Sequence, residues 1–203
     1  KNYYNKGIKI WWLDSCEPDI YPAHFENLKY HLGSGLEVGC MYPFHHQQAF
    51  FNGMKKNGEK DVVLITRSAW AGSQRFGTAV WSGDIESSFE ILELQVAAGL
   101  NMAMSGLPWW NTDIGGFHSG YPHTPYFREL IVRWFQYALF TPIFRLHGCR
   151  LPFDKTYETG SPNEVWSFGD EAYEIITKYL KIREKLKPYL SSCFKITHEK
   201  GLP

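Results

Sequence analysis

The sequence predicts an α/β fold: about the last five βα units of a (β/α)8 TIM barrel, present as a partial barrel. Three observations carry this reading. Short apolar runs alternate with helix-like segments, which implies parallel strands joined by right-handed crossovers. Polar and charged side chains follow those runs, at Asp14, Arg67, Asp84, Asp113 and His147. In such a barrel every strand's C-terminal end opens on one face, so those side chains would converge there. A complete barrel takes roughly 250 residues, whereas the chain has 203, so the first three strands are expected to lie outside it.

The elements follow in order. The run at 7–13, ending in Ile10-Trp11-Trp12-Leu13, reads as a buried strand that delivers Asp14 to a proline-marked turn. A loop rich in Pro, His and Gly comes next. Pro43 to Asn57 reads as a helix with Phe44, Ala49, Phe50 and Met54 near one face and Gly58 as its stop. Val62-Val63-Leu64-Ile65-Thr66 is β-branched and continuous, as in a strand buried on both faces. Ala79-Val80-Trp81 gives a short third strand. Phe89, Leu92, Val96 and Leu100 share a face of a helix over 86–104, which Gly106 ends. Leu107-Pro108-Trp109-Trp110 opens the next strand or loop. Residues 125–141 form another helix, with Pro125 near its start. Ile143-Phe144-Arg145-Leu146 is the expected last strand. A charged helical stretch over 170–199 is expected to break in two at Pro188.

One domain over residues 1–203 is expected, with no second domain, because the core a chain this long can build suffices for one and is thin for two. Lys and Arg total 21, as do Asp and Glu. A balance of zero offers no field for nucleic acid. No apolar run nears the ~18 residues of a membrane span, and no signal peptide is read, so no membrane partner is expected and the compartment is left open. The four cysteines, Cys16, Cys40, Cys149 and Cys193, have no C-x-x-C spacing and read as separate thiols. Eight tryptophans and twelve tyrosines suit either an aromatic core or an apolar pocket. There is no G-x-G-x-x-G and no P-loop, so nucleotide binding lacks support. His45 and His46 are adjacent on a helix and point about 100° apart, so they do not clamp one metal ion.

The motifs have a family likeness. Trp12-Leu13-Asp14-x-x-Glu17-Pro18 resembles the nucleophile segment of glycoside hydrolase family 31. Thr66-Arg67-Ser68, Gln74-Arg75-Phe76 and Trp81-Ser82-Gly83-Asp84 resemble its acid/base segment. Asp113-Ile114-Gly115-Gly116-Phe117 and Arg145-Leu146-His147-Gly148 follow in the family's order. Any one is weak; four in sequence are strong. The resemblance implies a retaining α-glycosidase, an α-xylosidase or α-glucosidase, with Asp14 as nucleophile and Asp84 as general acid/base. It makes Arg67, Asp113 and His147 sugar ligands, and Trp12, Trp81 and Phe117 aromatic walls. It implies no cofactor. The partners it implies are a glycoside or oligosaccharide substrate and the remainder of a parent polypeptide, which would bring a further acidic ligand.

The chemistry fits those residue types. Acetal cleavage passes through an oxocarbenium-like state, which one carboxylate traps while a second carboxyl protonates the leaving oxygen. Asp14 is expected to stay ionised beside a cation such as Arg67. Asp84 is expected to be raised by partial burial beside Trp81 and by the charge of Asp14. Plainer roles compete. Asp14 and Asp84 could be helix caps, Asp113 a turn residue, His147 a satisfied buried histidine, and Arg67 a structural partner of Asp14. Glu17 is expected to support the Asp14 loop, and Arg75 to brace the loop before the third strand. Two other functions stay open: a sugar-binding barrel without catalysis, and a lyase or transglycosidase that shares the covalent step.

Overall fold

A computed structural model describes residues 3–18, 24–156 and 159–203. Residues 19–23, inside the loop expected after the first strand, lie outside these. The chain divides into two compact units, residues 1–81 with 105–109, and residues 82–104 with 110–203.

The first unit is built on parallel strands. β1 (Ile10–Leu13) is followed by a small hairpin, β2 (Lys29–Tyr30) and β3 (Gly33–Ser34), and by a one-turn helix, α1 (Gly35–Val38). Ser34 and Glu37 form a capping box at that turn. The helix α2 (Met41–Lys56) then crosses back to β4 (Val63–Thr66), and a short 3-10 turn at Ser73–Phe76 leads to β5 (Thr78–Trp81). β1 pairs β4 in parallel, with Leu13 opposite Thr66. β4 pairs β5 in parallel, with Thr66 opposite Val80. The Val80 N–H donates to the Trp109 carbonyl at 2.8 Å, where the chain returns to this unit.

Register explains which side chains are covered. Leu13 and Leu64 point to the α2 side and form a core with Cys16, Met54 and Val62, against which Trp11, Phe50 and Phe51 pack. Ile10, Trp12 and Val63 point the other way and stay exposed. The second apolar run therefore alternates in burial, where its continuous β-branched sequence predicts cover on both faces. The α2 face also differs from expectation. Pro43, Gln47 and Met54 are buried, whereas Ala49 is exposed.

The second unit is helical around an aromatic core. It contains α3 (Phe89–Met104), β6 (Trp110–Asn111), α4 (Pro125–Ala138), the hairpin β7 (Arg150–Asp154) and β8 (Thr159–Ser161), and α5 (Asp170–Lys200). Thr124 caps α4 by accepting from the Phe127 N–H, and Pro125 takes the first turn. Phe127, Leu130, Ile131, Trp134, Phe135 and Ala138 follow the i, i+3, i+4, i+7 stripe of an amphipathic helix. They are buried with Phe168, Ala172 and Ile176. Burying each large side chain of this kind contributes about 1.5–3 kcal/mol.

Three expectations are corrected here. Residues 143–146 are not a strand, since only Leu146 bridges, to Ile114. α5 runs unbroken through Pro188 for 31 residues. On α3, Phe89 and Leu92 pack on the core, but Val96 and Leu100 are exposed. α3 is apolar almost all round, so its periodicity does not select a buried face. All four cysteines are free. No helix among the described residues is long and apolar enough to cross a membrane.

Candidate active site

In the first unit the parallel register brings the ends of β1 and β4 side by side. Leu13 and Thr66 are partners, so the next residues, Asp14 and Arg67, leave adjacent strand ends. Arg67 Nη1 lies 3.3 Å from Asp14 Oδ1. Its other nitrogens go to Glu17, with Nε donating to Oε1 at 2.7 Å and Nη2 to Oε2 at 3.1 Å. Burial pushes the Glu17 carboxyl up, but its hydrogen bonds with Arg67 and with backbone, and the charge of Arg67, outweigh this and hold it below the usual range. Asp14 itself is open, with 57% of its side chain exposed. The Ser15 N–H donates to Asp14 Oδ1 at 2.8 Å, with Ser15 in a left-handed conformation at φ 47°.

The loop after β4 is tied from beneath. The buried Gln47 amide of α2 donates to the Ser68 carbonyl at 2.7 Å and to Thr66 Oγ1 at 3.3 Å. Thr66 Oγ1 donates to the same carbonyl at 3.0 Å. Trp12 meets Trp81 edge to face, ring centres 5.2 Å apart. Trp12 is exposed, while Trp81 is buried and presents little surface.

The second unit assembles the other expected residues from three backbone segments. Phe117 and His118 N–H groups both donate to the Ile85 carbonyl, at 2.7 and 2.9 Å. The Ile114 N–H donates to the Arg145 carbonyl at 3.2 Å, and the Cys149 N–H to the Phe117 carbonyl at 2.8 Å. These bonds gather the turn carrying Asp84, the turn carrying Asp113 and Phe117, and the segment carrying His147. The rings of Phe117 and His147 lie 5.3 Å apart. Asp84 is exposed, which corrects the partial burial expected of it; it sits in the turn after Gly83, whose φ is 78°.

Asp113 is fully buried. Arg145 Nη2 donates to its Oδ1, while Arg145 Nε donates to Asn111 Oδ1 at 3.1 Å. Asp113 Oδ2 has no hydrogen-bond partner among the described residues. Burial pushes the Asp113 carboxyl up to about 6, with Asp84 adding to the rise and Arg145 and Arg150 opposing it.

Sequence reasoning gave no role to Arg145, Asn111 or Arg150. Arg145 stands two residues before His147 in a recognised motif, which is the signal that could have found it. Arg150 carries no comparable signal. Among the described residues no cluster of three His, Cys, Asp or Glu side chains could hold a metal ion. The arrangement offers an exposed carboxylate braced by a cation in one unit. In the other it offers an exposed carboxyl beside a buried ion pair, an imidazole and an aromatic ring. These are groups that can trap a carbocation-like centre, transfer a proton and bind hydroxyls.

The family model described as "Glycosyl hydrolases family 31 TIM-barrel domain" matches residues 1–193. A protein of Pseudescherichia vulneris described as an uncharacterized family 31 glucosidase is 51% identical over 152 residues, covering 75% of this chain and 29% of that protein. The alpha-xylosidase of Saccharolobus solfataricus is 39% identical over 206 residues, covering 99% of this chain and 27% of its own length. The crystal structure of a family 31 alpha-xylosidase from a soil metagenome, complexed with xylose, superposes with a TM-score of 0.94 at 48% identity. It covers all of this chain, which spans 31% of that one. The chain thus spans under a third of the length of these relatives.

Proposed function

The chain belongs to glycoside hydrolase family 31, of whose TIM-barrel domain it forms part, and from that premise we propose that it carries the catalytic residues of a retaining α-glycosidase. The substrate class is a terminal α-linked xylose or glucose, in keeping with the names of the relatives. In this reading residues 1–203 belong to one catalytic domain, and the remainder of a parent polypeptide completes it.

Asp14 is the nucleophile. Its carboxylate oxygen bonds to the anomeric carbon as the glycosidic C–O bond breaks, and Asp84 gives its proton to the leaving oxygen. Asp84 then takes a proton from water, whose oxygen displaces Asp14 and releases the sugar with its configuration retained. Arg67 and His147 bind hydroxyls, and Trp12 and Phe117 wall the sugar, with the buried Trp81 packed edge to face on Trp12. Asp113, fully buried against Arg145, acts on the site through that ion pair and its turn. The observation that carries the reading is the state of Asp14. It is solvent-exposed, at a strand end, and beside a guanidinium that Glu17 grips from the other side.

The test uses the intact polypeptide with p-nitrophenyl α-xyloside and α-glucoside. One of the two should be hydrolysed, with the α-anomer formed first by NMR. Asp14→Ala should lose at least about 1,000-fold in kcat. Asp84→Ala should lose far less on the nitrophenyl glycoside than on an alkyl glycoside, because nitrophenolate leaves without a proton. Undiminished turnover by Asp14→Ala overturns the assignment. An unsaturated or transferred product instead of free sugar would redirect it to a lyase or transglycosidase.

A further inference from the structure

Arg150 is the one arginine with no exposed surface among the described residues. It opens β7, and its hydrogen bonds converge on the loops that carry the sugar-binding candidates. Nη1 donates to the Gly116 carbonyl at 2.9 Å and to Ser87 Oγ at 3.2 Å. Nη2 donates to the Ile114 carbonyl at 3.2 Å. Nε donates to Asn163 Oδ1 at 2.7 Å, and the Asn163 amide reaches the Gly148 carbonyl at 3.4 Å. The guanidinium rests on the Phe127 ring, 4.8 Å from its centre. Two glycines leave room for it. A Cβ on Gly115 or Gly148 would stand 2.8 or 2.7 Å from Arg150 Nη2.

Every one of these acceptors is neutral. Burying a guanidinium against neutral acceptors alone costs several kcal/mol, and a neutral side chain could fill the same space. The charge, rather than the volume, is therefore the feature of Arg150 to be explained. The charged groups around Asp113 are Asp84, Arg145 and Arg150. Arg145 takes one oxygen of Asp113 directly, and Arg150 stands behind the turn that begins there.

We propose that Arg150 is a positioning residue, a fixed buried cation that locks the Asp113–Phe117 turn against the His147–Gly148 segment and keeps a positive charge behind Asp113. The inference rests on the glycosidase reading for its catalytic consequence, but not for its electrostatic one. Burial lowers the Arg150 guanidinium to about 10, so it remains charged wherever Asp113 titrates. A lysine would retain the charge but could not span four acceptors.

The test compares Arg150→Gln and Arg150→Lys in the intact polypeptide by pH–rate profile, and by thermal unfolding between pH 4.5 and 8. Arg150→Gln should lower kcat/KM by about tenfold or more and move its acid limb to higher pH. Arg150→Lys should return the limb to its place without restoring the full rate. Asp113 binds its proton more tightly when folded, and removing Arg150 strengthens that binding. The Tm deficit of Arg150→Gln should therefore grow as pH rises, and lose its pH dependence when Asp113→Asn is added. Should Arg150→Gln not fold, Arg150→Lys against Arg150→Lys/Asp113→Asn replaces it, with the Lys variant expected to track the wild-type pH dependence. An unshifted acid limb together with a Tm deficit flat in pH overturns the proposal. An inactive wild-type enzyme sinks the glycosidase reading and leaves the unfolding measurement to decide this one.

Discussion

Arg67 divides its guanidinium unequally. Glu17 takes the two-point hold, and Asp14 receives a single longer contact at 3.3 Å. Bidentate pairing fixes direction as well as adding energy, so Glu17 keeps Arg67 from collapsing onto Asp14. Glu17→Ala should therefore lower kcat/KM roughly tenfold without removing either catalytic acid; unchanged kinetics would show that Arg67 needs no second anchor. Glu17 and Asp113 also pull stability in opposite directions with pH. Glu17 is held low, so its contribution is present above its ordinary value of 4.5 and fades as pH falls through its lowered one. Asp113 is raised from 3.8 to about 6, so its contribution is full below about 4 and is lost as pH rises through 6. Asp113→Asn should flatten the Tm profile across that window, and a wild-type-like slope there would contradict the assignment. Asp14 and Arg67 were legible in the sequence because each follows directly on a strand run. Arg150 was not, since what it holds is brought near only by the tertiary fold, and Arg145 was signalled only by its place two residues before His147.

Helices and strands were legible where local signals agreed with their surroundings. α4 has a cap, an initial proline and a clean apolar stripe, and its expected start at 125 is observed. Residues 143–146 look like a strand, but among the described residues only Leu146 makes a strand bridge, to Ile114. The β7–β8 hairpin has no turn signal of the Asn-Gly kind and escaped notice. The unbroken course of α5 is the instructive case. A proline inside a helix removes one hydrogen bond and crowds the preceding turn. Here anchors lie on either side of Pro188. Arg183 donates to the Leu139 and Pro142 carbonyls at 2.6 and 3.0 Å, and Leu190 is buried. Tertiary contacts thus outweigh the break. The local cost should still be present, so Pro188→Ala should stabilise the protein by about 1–3 kcal/mol. A Tm that falls on substitution would show that Pro188 is itself a packing residue.

For the molecule as a whole, the order of motifs along the chain identified the family better than any count of strands. Residues at strand ends are constrained by chemistry as well as packing, whereas the strands themselves are as short as two residues. The same design leaves a consequence for the isolated 203-residue chain. In the first unit β1 borders the β4–β5 pair, and among the described residues no strand pairs with its outer edge. Ile10, Trp12 and Val63 form an apolar face there, Ile10 being 63% exposed. An open edge beside an uncovered apolar face is a template for association. Produced alone, this chain should elute in light-scattering chromatography as a dimer or larger species that grows with concentration, and it should bind a hydrophobic dye. Ile10→Lys places a charge on that edge, as natural edge strands do, and should shift the population toward monomer. A wild-type chain that stays monomeric and dark to the dye at high concentration would mean that the face is covered in solution by residues outside those described.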